Sequence, residues 1–137
     1  MNKKQVLSKL QELGFELEDA GEFGYYFKFE ELNLLYLPDE DDEDFLRFAV
    51  PNIYDVTTEN RPFLLEVVND TNMTVKYSKT CISLEHVWSF FEQKLFGDDN
   101  LEDIIEHGIR LLKVTVGIFY KIIEGDDTLP DEDEGDK

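Results

Sequence analysis

Residues that form cross-links or bind metals are scarce in this chain of 137 residues. It has one cysteine, Cys81, and two histidines. A lone cysteine forms no intramolecular disulfide, and no second cysteine or histidine stands near it at the spacing of a zinc site. We therefore expect no metal and no cofactor. We interpret Cys81 as a small apolar side chain in a protein from a reducing, cytoplasmic compartment.

Long hydrophobic runs are also missing. The longest apolar stretch, residues 114–120, is far shorter than the ~20 residues that a membrane-spanning helix needs. The first residues carry lysines, but polar side chains interrupt the segment where a signal peptide would be apolar. We expect neither a membrane partner nor export.

Basic residues are few: 13 lysines and arginines face 32 acidic residues, for a formal net charge of −19. Proteins that bind nucleic acid use lysine and arginine to neutralise phosphates, so this balance argues against a nucleic-acid partner. The acids concentrate in two segments, 39–44 and 125–137. The second has too few apolar residues to fold, and we predict one domain over 1–124 followed by an acidic disordered tail over 125–137.

Motifs of catalysis and metal binding are absent from the sequence. There is no nucleophile elbow, P-loop or dinucleotide fingerprint. Asp103 and His107 are four apart on a predicted helix, a pair that is common on helix surfaces. The acidic run 39–44 does not fit a calcium loop, because Asp44 stands at the glycine position and Val50 at the glutamate position. We expect no catalytic, cofactor-binding or metal-binding residue and hence no enzyme.

Hydrophobic periodicity nevertheless predicts a folded core of helices and strands. The predicted order is a helix, three strands, a helix, two strands and a long helix. The helices fall at 2–14, 60–72 and 100–124, and the strands at 23–29, 32–37, 45–50, 73–78 and 81–91. Strands joined by short turns pair antiparallel, so we predict an α+β domain with an antiparallel sheet packed against helices.

Alternation along the strands divides their side chains between two faces of the sheet. We assign to the helix side Phe23, Phe27, Leu84, Trp88 and Phe90. The opposite face then carries Tyr26, Lys28, Lys76, Val87 and Phe91. An ordinary solvated face is one interpretation. A protein-binding or dimer surface is the other, because Val87 and Phe91 are apolar where a solvated face would be polar.

The middle helix adds exposed apolar surface through Phe63. The predicted protein-binding or dimer surface therefore comprises Tyr26, Lys28, Phe63, Val87 and Phe91.

The order of elements and two segments resemble the YbjN family, which shares its fold with type III secretion chaperones. Val6 to Phe15 is similar to that family's opening helix, which ends in Leu-Gly. Leu65 to Asn72 is similar to its middle helix, which ends in an Asn-x-x-Asn segment. The resemblance covers about residues 4–124. It implies a small, acidic, cytoplasmic and usually dimeric protein, whose secretion relatives hold partly unfolded segments of other proteins.

Two functions follow from these observations. The first is a non-enzymatic protein-binding module, chaperone-like or regulatory, whose ligand is an extended segment of a partner protein or a second copy of the chain. The acidic net charge predicts that this segment is apolar and net-basic. The alternative is a small-ligand sensor or an enzyme with its site between the sheet and the last helix. A preformed pocket with convergent polar groups would favour that alternative.

Overall fold

The computed structural model describes residues 3–125 and has the predicted α+β architecture. Its helices are α1 (Lys3–Glu12), α2 (Arg61–Thr74) and α3 (Leu101–Ile123). Its strands are β1 (Glu18–Asp19), β2 (Tyr25–Phe29), β3 (Leu32–Tyr36), β4 (Phe45–Asp55), β5 (Ser78–Ser83) and β6 (His86–Lys94). A short 3₁₀ turn at Gly21–Phe23 precedes β2, so Phe23 lies outside the predicted strand and is exposed.

The described strands form one antiparallel sheet in the order β1-β2-β3-β4-β6-β5. The helices pack on the same face of this sheet, and a continuous hydrophobic core lies between the two layers. This confirms the predicted fold class. Strand β1 was not predicted, because its two exposed acidic residues carry no alternation of apolar side chains.

The long helix α3 begins as predicted. The Asn100 side chain accepts a hydrogen bond of 3.1 Å from the Asp103 N–H and so satisfies one of the free amides of the first turn. Gly108 allows α3 to approach the sheet closely. A Cβ atom at residue 108 would lie 2.5 Å from the Phe91 ring, so a larger residue would push the helix away.

The second half of the sheet differs from the prediction. The β5–β6 hairpin turns at Leu84 and Glu85, whereas we predicted the turn at residues 79–80. Leu84 adopts a left-handed conformation with φ 56° and is 89% exposed. The sequence offers no glycine, asparagine or proline there to signal a turn. The observed hairpin pairs Ser78 with Phe91 and Ser83 with His86.

Strand β4 also runs beyond its predicted end at Pro51. The strand continues to Asp55 through an irregularity between Val50 and Tyr54, where Asn52 has φ 53°. The paired register of β3 and β4 ends at Leu35 opposite Ala49. The next pair that would exchange two hydrogen bonds places Asn33 opposite Pro51, which has no N–H to donate. Proline therefore ends the β3–β4 ladder without ending the strand.

Two predictions concern membranes and the tail. No helix within residues 3–125 is both long and apolar enough to span a membrane. The acidic tail lies, from residue 126 onward, outside the described residues.

Candidate functional site: the open face of the sheet

One face of the sheet is not covered by any helix of residues 3–125, and we call it the open face. The strand register assigns its side chains, because directly opposed residues point to the same side. Its central members from β2 to β5 are Tyr26, Lys28, Asn33, Leu35, Phe45, Arg47, Ala49, Lys79, Cys81, Trp88, Phe90, Glu92 and Lys94.

Val87 and Phe91 do not belong to this face, so their predicted placement on a binding surface was wrong. Val87 is 0% exposed and Phe91 is 1% exposed. Phe91 lies under Gly108 of α3, and both side chains belong to the hydrophobic core. The alternation was read correctly, since Val87 and Phe91 share one face of β6 and Trp88 and Phe90 the other, but the two faces were exchanged. Their neighbours Trp88 and Phe90 occupy the open face instead.

The other three predicted residues are separated by the fold. Tyr26 and Lys28 both lie on the open face, where the Tyr26 hydroxyl donates a 2.7 Å hydrogen bond to Asn33 Oδ1. Phe63 is 51% exposed near the start of α2, on the helical layer. The structure therefore brings Tyr26 and Lys28 together with Trp88 and Phe90 and leaves Phe63 apart from them.

Large aromatic side chains form the centre of the open face. The rings of Trp88 and Phe90 stack with their centroids 5.9 Å apart and their planes 19° apart. Leu35 and Ala49 lie beside Phe90 in the cross-strand row and are buried although no described helix covers them. Trp88 and Phe90 remain half-buried. An apolar surface of this kind can bury more area when another molecule covers it.

Charged side chains are arranged around the aromatic centre. Glu92 contacts two cations at once: Arg47 Nε lies 3.1 Å from Oε2, and Lys79 Nζ lies 2.6 Å from Oε1. The Arg47 guanidinium stands 4.7 Å from the Phe45 ring centroid, and the Lys79 ammonium 5.7 Å from that of Phe90. Although Arg47 Nε is within ion-pair distance, it makes no aligned hydrogen bond. The single carboxylate of Glu92 thus lies within ion-pair distance of two cations.

Each outer edge of the sheet is partly protected against pairing with another strand. On β5, the Asn72 side chain donates a 2.9 Å hydrogen bond to the Thr80 carbonyl and accepts one of 2.7 Å from the Thr80 N–H. The amide group thus occupies the positions that a neighbouring strand would use. On the other side, β1 has only two residues, both acidic and exposed. Addition of a partner's strand at the β5 edge is therefore obstructed at Thr80.

A cleft of about 590 Å³ lies between the sheet and the last helix. Its walls come from the β2–β3 turn, the irregular part of β4, and α3; among them are Leu32, Asn52, Val116 and Gly117. Several of its polar groups already have partners within the protein. Lys113 forms an ion pair with Glu30, and the Tyr120 hydroxyl donates a 2.6 Å hydrogen bond to the Ile53 carbonyl. Burial raises the pKa of Tyr120.

The cysteine and the histidines make ordinary contacts. Cys81 lies opposite Trp88 on the open face, and burial raises the pKa of its thiol, which disfavours the reactive thiolate. His86 Nε2 lies 3.2 Å from Asp55 Oδ1, and His107 contacts the Tyr77 ring. Over residues 3–125, no three His, Cys, Asp or Glu side chains are grouped to hold a metal ion.

The fold of the described residues is a YbjN-like α+β fold. YbjN from E. coli, a proposed transcription regulator, has a similar structure, with a TM-score of 0.70 and 7% sequence identity over 91% of this chain and 94% of that one. An uncharacterised protein from Methanothermobacter thermautotrophicus is also similar, with a TM-score of 0.58 and 14% identity over 91% of this chain and 99% of that one. No protein-family model matches the sequence. No curated protein matches it either. These likenesses establish the fold.

The centre of the open face was not predicted from the sequence. Trp88 and Phe90 alternate as core residues do, so periodicity alone does not tell which side the helices cover. The polarity of the neighbouring residues did not identify the face either. Ser89, between the two aromatics, and Thr80 are polar yet buried on the helix side, where the Thr80 hydroxyl lies 3.4 Å from Ser89 Oγ. Buried hydroxyls that bond each other can occupy a core, so a polar residue does not mark the solvent side.

Proposed function

We propose that this protein is a non-enzymatic protein-binding module, chaperone-like or regulatory, that binds extended segments of partner proteins on the open face of its sheet. The half-buried stacked pair of Trp88 and Phe90 carries this proposal. Aromatic rings that remain partly exposed at the centre of a surface are the side chains that contribute most at protein interfaces. The free cysteine also agrees with the cytoplasmic location that we propose.

The single tryptophan of the chain provides a direct measurement. Because Trp88 lies in the proposed site, its fluorescence reports binding there without an added label. We expect unfolded peptides rich in apolar residues to change the Trp88 emission in a saturable way. Phe90→Ala should weaken this binding at least tenfold, since a central aromatic contact is lost.

Met73→Ala is the matched control. Met73 is also an exposed apolar side chain, but it lies on α2 in the helical layer. We expect its variant to bind as the unchanged protein does. Peptide binding that is lost equally in both variants, or that leaves the Trp88 emission unchanged, would refute the open face as the site.

The cleft beside α3 supports a second candidate function, a small-ligand sensor. Its volume of about 590 Å³ lies within the range of small-molecule sites. Gly117 faces open space there, since a Cβ atom added to it would meet no neighbour within 4 Å. Gly117→Leu would partly fill the cleft without disturbing the open face. Thermal stabilisation by a metabolite library that is lost in this variant would favour the sensor.

Self-association is a further part of the proposal. Exposed apolar side chains on α2, Phe63 and Leu65, offer surface that a second copy could cover. Light scattering is the measurement. We expect a mass near twice 16.1 kDa, and a mass of 16.1 kDa at high protein concentration would show a monomer.

A further inference from the structure

We propose that the segment bound by the open face combines large apolar side chains with carboxylates. This rests on the proposed function and adds the chemistry of the partner to it. The expectation from net charge was the opposite, a net-basic segment. On the open face cations outnumber acids, whereas in the whole chain acids outnumber cations. Contacts at short range depend on the nearby charges.

The open face holds an unusual share of the positive charge. Four of the 13 lysines and arginines of the chain project from it: Lys28, Arg47, Lys79 and Lys94. Within the paired strands of residues 3–125, three of the 32 acidic residues lie on the same side: Glu18, Asp55 and Glu92. Nearly a third of the cations therefore share this face with about a tenth of the acids.

The central cations are incompletely neutralised. Glu92 is the carboxylate between Arg47 and Lys79, and it offers one negative charge to two positive ones. The Lys79 side chain is more than half exposed, so its ammonium remains accessible to another molecule. A carboxylate from a partner would find a charge-assisted hydrogen-bond donor here, beside the ring of Phe90.

The peripheral cations extend this pattern away from the aromatic pair, Lys28 across the sheet on β2 and Lys94 further along β6 itself. Lys28 on β2 is exposed and has no ion-pair partner among residues 3–125. Lys94 on β6 is exposed and stands 5.7 Å from the Phe96 ring centroid. From β2 to β6 the face spans three strand spacings, or roughly 14 Å. An extended segment of four or five residues crosses that distance, at about 3.3 Å per residue.

A protein segment fits this face better than nucleic acid does. The net charge of −19 repels a chain that carries one phosphate per nucleotide, and the four cations here offset only a few phosphates. A peptide with two or three carboxylates brings fewer negative charges and supplies aliphatic or aromatic side chains for Trp88 and Phe90. The matching chemistry is an acidic, apolar segment.

Titrations with matched peptides test the proposal through Trp88 fluorescence. Three peptides share the same leucine and phenylalanine positions and carry glutamate, glutamine or lysine between them. A single-stranded oligonucleotide forms a fourth arm. We expect the glutamate peptide to bind at least tenfold more tightly than the lysine peptide, with the glutamine peptide between them. The double variant Lys28→Glu, Lys94→Glu should remove this preference.

The control variant is Arg110→Glu, which changes an exposed cation on α3, in the helical layer. It alters the net charge in the same direction and should leave the preference intact. Tighter binding of the lysine peptide would overturn the proposed partner chemistry but leave a protein-binding function standing. The partner chemistry and the protein-binding function would both be overturned if the oligonucleotide bound in preference to all peptides. They would also be overturned if neither the peptides nor the oligonucleotide bound.

Discussion

The two faces of strand β6 show how differently neighbouring residues of one strand are used. Phe91 points to the helices and is 1% exposed, whereas Phe90 points away and is half-buried. Phe91 is surrounded by the core and lies under a glycine of α3. Phe90 is stacked on Trp88 and approached by Lys79. The first arrangement stabilises the fold, and the second leaves apolar area that only another molecule can cover.

The comparison is tested most strongly by truncating each phenylalanine. Phe91→Ala should lower the free energy of unfolding by about 3–5 kcal/mol, because it removes a ring from the centre of the core. Phe90→Ala should lower it by about 1 kcal/mol or less, as for other partly exposed positions. Urea unfolding followed by far-ultraviolet circular dichroism measures both. Equal losses would mean that the open face contributes to stability as the core does.

The effect of alkaline pH on stability tests the burial of Tyr36, on the face of the sheet that packs against the helices. Burial raises the pKa of Tyr36 to about 12, above its ordinary value of 10.0. The phenol ionises more easily in the unfolded chain, so its contribution is complete below pH 10 and disappears as the pH rises towards 12. Two pH units correspond to about 2–3 kcal/mol. Between pH 9 and pH 11.5, the free energy of unfolding should fall less in Tyr36→Phe than in the unchanged protein. An equal fall in both would contradict a buried phenol.

The glycines of α3 provide a matched pair for the contact between helix and sheet. Gly108→Ala places a methyl group against the Phe91 ring and should cost about 1–2 kcal/mol after the gain in helix propensity. Gly117→Ala adds the same group where there is open space, and it should stabilise the protein by up to about 1 kcal/mol. Melting temperatures shifted in opposite directions are the expected result. A stabilised Gly108→Ala would contradict the close packing of α3 on the sheet.

The smallest effect is expected at the protected edge. Asn72→Ala leaves the Thr80 N–H and carbonyl to water and should cost about 1 kcal/mol. It also opens β5 to pairing, so we expect concentration-dependent association in sedimentation experiments. Asn72→Asp keeps the acceptor for the Thr80 N–H and loses the donor. An intermediate result is expected for it, and unchanged sedimentation of Asn72→Ala would show that the edge is protected in another way.

The helices were predictable because their signals are local. Asn100 and the apolar period of α3 are enough to place that helix, and the sequence of α1 gives a similar pattern. The position of the β5–β6 turn was not predictable, because Leu84 and Glu85 carry no turn preference and tertiary packing fixes the register. Tyr26 and Lys28 were placed on the correct face of β2. The centre of the open face was missed because the alternation of β6 does not tell which of its two faces the helices cover.

The sheet is held unevenly across its width because of Pro51. Strands β3 and β4 share two paired positions and one further hydrogen bond, from the Leu37 N–H to the Arg47 carbonyl, whereas β4 and β6 share eight paired positions. We expect this short ladder to divide the sheet into two cooperative units, β1-β2-β3 and β4-β6-β5. Local opening should begin at this boundary. Amide hydrogens of Asn33 and Leu35 should therefore exchange with solvent sooner than those of residues 89–91 of β6, which are paired with a strand on each side.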